Sequence, residues 1–263
     1  MTWIEAVILG ILQGLTEFLP VSSSGHIEIG SVLLGTEVSN NLLFSIVVHA
    51  ATALSTIIVF RNDILEIIKG LIKFTWNDEV QFALKIIISM VPVGIVGVLF
   101  EDQITSLFTG QIMSVGSMLL ITGTLLIFTH FQKDHSREIS YISALIIGLA
   151  QAFAIMPGIS RSGATIATAL LLKTKKESAT KFSFLMVLIP IMGATLLKVL
   201  DLSNNVNASN DISGLALTAG FLAALISGLL ACQWMIAIVK KGKLTYFAFY
   251  CLLVGGIAII SQL

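Results

Sequence analysis

The chain has 263 residues, of which 56% are hydrophobic and 11% are charged, and its formal net charge is zero. Soluble domains carry about 25% charged residues, so this composition excludes an ordinary soluble enzyme and indicates an integral membrane protein. The expected surroundings are therefore membrane lipids, and no nucleic-acid partner is expected.

Two short helices are predicted at the start of the chain, at about residues 3–18 and 22–34. The turn between them runs from Pro20 to Gly25 and is rich in serine. A 13-residue helix is about 20 Å long, whereas the hydrocarbon core of a bilayer is about 30 Å thick. We therefore predict that this pair forms a re-entrant hairpin, which enters the membrane and returns to the same side.

Longer apolar stretches and a second short pair make up the rest of the chain. The second pair is predicted at about 141–156 and 161–172, and the turn Pro157 to Gly163 separates its helices. Six stretches reach the roughly 20 residues needed to cross a bilayer: 41–60, 82–100, 112–130, 178–200, 213–239 and 243–261. The predicted fold class is an all-α integral membrane protein with six transmembrane helices and two re-entrant helix hairpins.

The placement of charge supports this topology. Every Lys and Arg except Arg161 and Lys198 falls on one face of the membrane. The loops on the other face hold only acidic charges, at Glu37, Glu101, Asp102, Asp201 and Asp211. Basic loops are normally cytoplasmic. Both termini are therefore predicted outside, and the two hairpins enter from opposite sides.

An internal repeat relates the two hairpins. One fixed shift aligns Gly10 and Gln13 with Gly148 and Gln151, and it also aligns the two serine-rich turns. Because the hairpins enter from opposite sides, the predicted repeat is inverted, and such folds place their ligand site near the membrane midplane. We predict one membrane domain over 1–263, with halves of about 1–130 and 139–263.

Arg161 is the residue that most clearly indicates a binding site. An arginine at bilayer depth costs roughly 2.5–3.5 kcal/mol on insertion scales, so it is normally retained for function. Nothing nearby in the sequence offers it a carboxylate. Its planar set of N–H donors suits phosphate oxygens better than the point charge of a lysine. The sequence therefore predicts a phosphate site within the membrane.

The two serine-rich turns are suited to the same anion. Ser22, Ser23 and Ser24 precede one helix, and Ser160 and Ser162 open another. Serines at a helix start can simply cap it, and capping alone is the alternative. Three hydroxyls in one turn exceed what a cap requires, and a helix N-terminus attracts negative charge.

Acidic and basic groups lie beside the first turn. Gln13 and Glu17 are four residues apart and therefore share one helix face; a structural hydrogen bond to a neighbouring helix is the alternative. His26 follows the turn directly and is a candidate acid or base near neutral pH. No cysteine–histidine zinc motif is present. Mg²⁺ or Ca²⁺ held by Glu17 and the phosphates of a substrate remains open.

These motifs resemble those of the undecaprenyl-diphosphate phosphatase family, also known as the bacitracin-resistance proteins. The first motif is Gln13-x-x-x-Glu17 followed by the turn Ser22-Ser-Ser-Gly-His26, and the second is Pro157-Gly-x-Ser-Arg-Ser-x-x-Thr165. The resemblance implies hydrolysis of undecaprenyl diphosphate to the monophosphate in the bacterial plasma membrane, which recycles the carrier lipid of cell-wall peptidoglycan synthesis. It also implies an active site open to the outer face and a divalent cation, Mg²⁺ or Ca²⁺.

The resemblance also assigns roles to residues. The catalytic positions match Glu17, Ser23, His26 and Arg161, and the substrate-binding positions match Gln13, Ser22, Ser24, Ser160, Ser162 and Thr165. Gln13 takes the less acidic of the two residues that the family uses there, which leaves Glu17 as the main acidic group.

Several points stay open at this stage. Our mechanistic hypothesis is that Ser23, activated by His26 or Glu17, attacks the diphosphate; a water held by the same groups is the alternative nucleophile. A transporter or flippase of a prenyl phosphate lipid is the alternative function, because a midplane anion site suits it equally well. A homodimer is neither required nor excluded by the sequence.

Overall fold

The computed structural model describes residues 1–36, 42–100, 112–132, 135–204 and 212–262. Apart from one isolated bridge between Arg137 and Thr174, the regular secondary structure in these ranges is helical. The predicted loop residues Glu37, Glu101, Asp102 and Asp211 lie outside the described residues. Asp201, which was predicted in a loop, lies within a helix that continues to Asn204.

Twelve α-helices occur in the described ranges, and a short 3₁₀ turn at Thr129–Phe131 follows the sixth. Their bounds are α1 Trp3–Phe18, α2 Ser23–Leu34, α3 Leu42–Val59, α4 Arg61–Ile72, α5 Asp78–Leu99, α6 Ile112–Phe128, α7 Tyr141–Phe153, α8 Arg161–Leu171, α9 Lys176–Met186, α10 Leu188–Asn204, α11 Gly214–Lys240 and α12 Thr245–Ile260.

The helices are those of a multi-pass membrane protein. Within the described residues, four stretches are long and apolar enough to cross a bilayer: Asp78–Leu99, Ile112–Phe131, Lys176–Leu197 and Gly214–Lys240. A fifth results if α3 and α4, which meet at a bend of 75°, are taken as one span. Large apolar side chains such as Leu33, Val98 and Ile142 point outward, where lipid can cover them.

The observed helices differ from the predicted spans in three places. The stretch predicted as one span at 178–200 has a local break at Val187 between α9 and α10, although Lys176–Leu197 as a whole is long and apolar enough to cross a bilayer. The last predicted span, 243–261, contains α12 with 16 residues. Helix α4 lies in a segment that was predicted as a cytoplasmic loop. The prediction missed this helix because its charged residues lower the hydropathy of the segment. Its structure comes from packing, since Gly70 lies directly against Glu79 of α5.

The two helices of each short pair lie against each other. In the first pair, Gly30 of α2 faces the side chains of Leu9 and Leu12 of α1. In the second pair, the backbone N–H of Lys175 donates to the carbonyl of Arg137 at 2.9 Å, which brings the end of α8 close to the start of α7. The two halves therefore each begin with a helical hairpin.

The two hairpin turns contact each other. The hydroxyl of Ser162 donates to the carbonyl of Leu19 at 3.2 Å. A Cβ added to Gly163 would lie 3.2 Å from the Cβ of Pro20, and one added to Gly25 would lie 3.3 Å from the Cα of Gly158. This contact places the N-termini of α2 and α8 side by side, and it determines where the candidate site forms.

Candidate active site

Glu17 is the centre of the site. It lies near the end of α1 and is buried. One carboxylate oxygen accepts a hydrogen bond from Nη2 of Arg161. The other, Oε2, accepts from the Ser23 hydroxyl at 2.8 Å and from Nε2 of Gln13 at 3.0 Å. Three other predicted site residues therefore meet at the Glu17 carboxylate.

Arg161 is the first residue of α8, and its side chain is partly exposed. The sequence offers it no carboxylate nearby, and its partner Glu17 comes from the other half of the chain. A guanidinium carries five N–H donors, and Glu17 leaves most of them for an anion. Because the partial exposure opens these donors to a ligand, the ion pair neutralises the buried carboxylate without closing the site.

The first serine turn caps α2, as predicted. The Ser22 hydroxyl accepts from the backbone N–H of Gly25 at 3.4 Å and lies 3.3 Å from the hydroxyl of Ser24. Ser22 has a φ of 71°, which residues other than glycine rarely adopt. Such backbone strain is concentrated at functional sites. Ser23 is left free by this capping arrangement, and its hydroxyl donates to Glu17 instead.

The second turn repeats the arrangement at α8. The Ser160 hydroxyl accepts from the backbone N–H of Gly163 at 3.1 Å and lies 3.2 Å from the hydroxyl of Ser162. Thr165, one turn into the helix, donates to the carbonyl of Arg161 at 2.9 Å and contacts the hydroxyl of Ser183. All three predicted residues of this motif therefore lie around the backbone of Arg161.

His26 lies in the first turn of α2, but its ring nitrogens are bonded away from Glu17 and Ser23. Nδ1 is 2.8 Å from the carbonyl oxygen of Ser22, and Nε2 is 2.8 Å from the hydroxyl of Tyr250. Of the two groups predicted to activate Ser23, Glu17 is therefore the one in contact with its hydroxyl. Tyr250 was missed by the sequence analysis, because a tyrosine in an apolar helix has no distinguishing local pattern.

A cavity extends from the ion pair between the two halves. Its polar lining includes Glu17, Arg161, Ser162 and Thr165, which the sequence predicted, and Thr52, Thr56 and Ser183, which it did not. Phe18, Phe184, Val187 and Ile191 form its apolar lining. The sequence held only a weak indication of the missed residues. Thr52 and Thr56 are four residues apart in an apolar span and therefore share one helix face. The lining of the cavity is therefore mixed, with polar and apolar side chains.

The described residues contain no group of three or more His, Cys, Asp or Glu side chains that could bind a metal ion without help. Near Glu17, however, the side-chain oxygen of Gln13 is buried and has no hydrogen-bond partner among the described residues. Carboxylate and amide oxygens are the ligands that Mg²⁺ and Ca²⁺ prefer, and phosphates commonly complete their coordination. The donors present therefore fit a cation that arrives with a phosphorylated ligand.

Residues 6–257 match the sequence model of a protein family described as bacitracin resistance protein BacA. The chain belongs to this family. Its relatives include a protein of Bacteroides thetaiotaomicron, 53% identical with 100% of both chains covered, and one of Christiangramia forsetii, 55% identical with 97% of both chains covered. A protein of Methanobrevibacter smithii is 39% identical over 100% of this chain and 99% of its own. Each of the three is named undecaprenyl-diphosphatase.

Proposed function

We infer that this protein hydrolyses undecaprenyl diphosphate to undecaprenyl phosphate and inorganic phosphate, and so recycles the lipid carrier of cell-wall synthesis. The relatives that bear the name undecaprenyl-diphosphatase match essentially the whole chain. The observation that carries the proposal is the meeting of Arg161, Glu17 and Ser23 beside two helix N-termini. These are the groups that a phosphoryl transfer requires: a cationic clamp, a base and a nucleophile.

Substrate binding begins at Arg161. The oxygens of the diphosphate compete with Glu17 for the guanidinium, and the N-termini of α2 and α8 add backbone N–H groups and helix-dipole attraction. When the phosphate takes the guanidinium, Glu17 loses its cationic partner. The displaced carboxylate keeps its hydrogen bond to the Ser23 hydroxyl and can take up the serine proton.

The chemical step starts from the 2.8 Å hydrogen bond between Ser23 and Glu17. The Ser23 oxygen attacks the terminal phosphorus in line, its proton passes to Glu17, and the bond to the bridging oxygen breaks. Undecaprenyl phosphate leaves, and a phosphoserine remains. Water then attacks this phosphorus, Glu17 returns its proton to the Ser23 oxygen as the phosphoserine bond breaks, and inorganic phosphate leaves with both hydrogens of the water. His26, in the first turn of the same helix, is the second acid–base group of the site.

Ser23→Ala tests whether the serine is the nucleophile. Removal of the hydroxyl should lower kcat by on the order of a hundredfold or more, because the covalent route is lost. A rapid quench with substrate carrying ³²P in the terminal phosphate should trap a phosphoserine at this position in the unsubstituted protein. Ser31→Ala is the matched control, since that serine lies in the same helix and its hydroxyl donates to the helix carbonyl of Ile27 at 2.7 Å. Full activity of Ser23→Ala would instead favour direct attack by a bound water.

A divalent cation, Mg²⁺ or Ca²⁺, is part of the proposal. Gln13 and Glu17 would hold it together with the substrate phosphates, and when bound it would neutralise charge on the diphosphate. The support for this is the unpartnered oxygen of Gln13 beside the carboxylate.

The membrane arrangement belongs to the same proposal. The protein has six spans and two re-entrant hairpins, which form an inverted repeat in a bacterial plasma membrane. Both termini lie on the outer face, and the site opens toward that face. Equivalent contacts support the repeat. Gly10 of α1 lies against the carbonyl of Gly220 of α11, and its repeat partner Gly148 of α7 lies against the carbonyl of Ser89 of α5. All site residues come from one chain, so a homodimer is not needed for the chemistry.

Phosphate release from undecaprenyl diphosphate by the purified protein in detergent is the decisive test. We expect turnover that falls after treatment with a chelator and returns on addition of Mg²⁺ or Ca²⁺. A transporter or flippase would move the lipid between leaflets of a vesicle and release no phosphate. Lipid movement without phosphate release would therefore overturn the enzymatic proposal and support the alternative function.

A further inference from the structure

The hydrogen bonds of His26 assign its proton. Nδ1 faces the carbonyl oxygen of Ser22 at 2.8 Å. Because a carbonyl can only accept, Nδ1 carries the hydrogen. In the neutral ring, Nε2 then presents a lone pair, and the hydroxyl 2.8 Å away on Tyr250 donates to it. The tyrosine thus completes the hydrogen bonding of a histidine that is itself buried.

Tyr250 also determines the plane of the imidazole. The two rings are stacked, with their centroids 5.5 Å apart and their planes 16° from parallel. Tyr250 is on α12, and its neighbour Cys251 directs its thiol toward the carbonyl of Pro20 at 3.5 Å. The last helix of the chain therefore contacts the first serine turn at two successive residues. A tyrosine that only filled space would not need a hydroxyl at hydrogen-bond distance from Nε2.

We propose that Tyr250 is a positioning residue that holds His26 in its working orientation during phosphate transfer. A phenol hydroxyl can both donate and accept. It donates to the neutral imidazole, and it can turn to accept from the imidazolium, so the contact survives a change in the charge of His26. Phenylalanine could retain the stacking but not the hydrogen bond. This inference rests on the proposed phosphatase function and adds to it a residue that neither motif contains.

Tyr250→Phe is the direct test. The loss of one hydrogen bond to His26 should lower kcat about tenfold and leave KM within about twofold, because in this proposal the tyrosine acts through His26. Tyr246→Phe is the matched control, since Tyr246 is an exposed tyrosine one turn earlier in α12. It should retain full activity. If Tyr250→Phe also retains full activity, the proposal is wrong.

A double-mutant cycle separates positioning of His26 from a general structural role. In a His26→Ala background, measured by single turnover at high enzyme concentration, Tyr250→Phe should change the rate less than about twofold, because the two residues act as one unit. An undiminished tenfold loss in that background would show that Tyr250 acts independently of His26 and would overturn the proposal.

A spectroscopic measurement keeps the test independent of turnover. In protein labelled with ¹⁵N-histidine, Tyr250→Phe should shift the Nε2 resonance of His26, which His26→Ala identifies by its disappearance. The resonances of the other histidines should stay in place. An unchanged His26 resonance would refute the contact. If the unsubstituted protein releases no phosphate, the phosphatase function fails, whereas the contact between Tyr250 and His26 is still judged by this spectrum.

Discussion

Arg161→Lys should lower kcat/KM roughly 10²- to 10³-fold, the loss expected when a charge-stabilising donor is removed from a preorganised site. Lysine keeps the positive charge and can still neutralise Glu17, so the fold should survive the change. It lacks the planar set of donors that can bond two phosphate oxygens at once. We therefore expect both a higher KM and a lower kcat, measured as phosphate release over a range of substrate concentrations.

The matched control is Arg137→Lys. Arg137 is exposed, and its described contact is a backbone pairing with Thr174 and Lys175, which a lysine can make equally well. This variant should have unchanged kinetics. Activity of Arg161→Lys equal to that of the unsubstituted protein would refute the bidentate clamp and leave only a requirement for positive charge at this position.

Glu17→Gln should not raise KM, in contrast to Arg161→Lys. The amide keeps the shape of the side chain and can still accept from Ser23, but it cannot take up the serine proton. The loss of a general base should lower kcat roughly 10²- to 10⁴-fold. Because the neutral amide competes less for the guanidinium of Arg161, the substrate should bind as well as before or more tightly when the divalent cation is saturating. KM should therefore stay constant or fall while kcat falls, as is expected when an interaction that competes with the substrate is removed.

Glu66→Gln provides the control for Glu17→Gln. Glu66 is an exposed carboxylate on α4, away from the hairpin turns, and its neutralisation should leave the rate unchanged. The melting temperature of each variant shows whether the fold is retained, since breaking a buried ion pair can destabilise a protein by about 3–5 kcal/mol. A rise in KM in a folded Glu17→Gln protein would contradict the proposed competition for Arg161.

Local sequence patterns predicted a large share of this site. The spacing of Gln13 and Glu17 placed both side chains on one helix face, and they are hydrogen bonded at 3.0 Å. Serine followed by a helix indicated caps at Ser22 and Ser160, and both serines accept from the backbone three residues later. These predictions succeed because i to i+3 and i to i+4 geometry is set within a single turn of helix.

Helix limits were predicted less well where burial overrides hydropathy. Helix α4 carries Arg61, Asp63, Glu66 and Lys69, which lowered its apolar content below that of a span. It is nevertheless ordered, because Asn77, the N-cap of α5, donates to the carbonyl of Gly70 at 2.9 Å. The break at Val187 lies three residues before Pro190, which has no N–H to donate to the carbonyl of Met186, so the sequence did mark it. The order of α4 depends on a neighbouring helix, which a hydropathy window does not include.

By itself, the sequence determined the membrane class, the short paired helices and the residue types of the site, because composition and short-range helix geometry act locally. Only the tertiary structure decided which groups meet. Glu17 and Arg161 are 144 residues apart in the chain. His26 and Tyr250 are 224 residues apart. Their contacts arise where the hairpin turns and α12 pack together. Packing between distant helices selects a partner by position in space, so no local pattern could identify Glu17 as the partner of Arg161 or Tyr250 as the partner of His26.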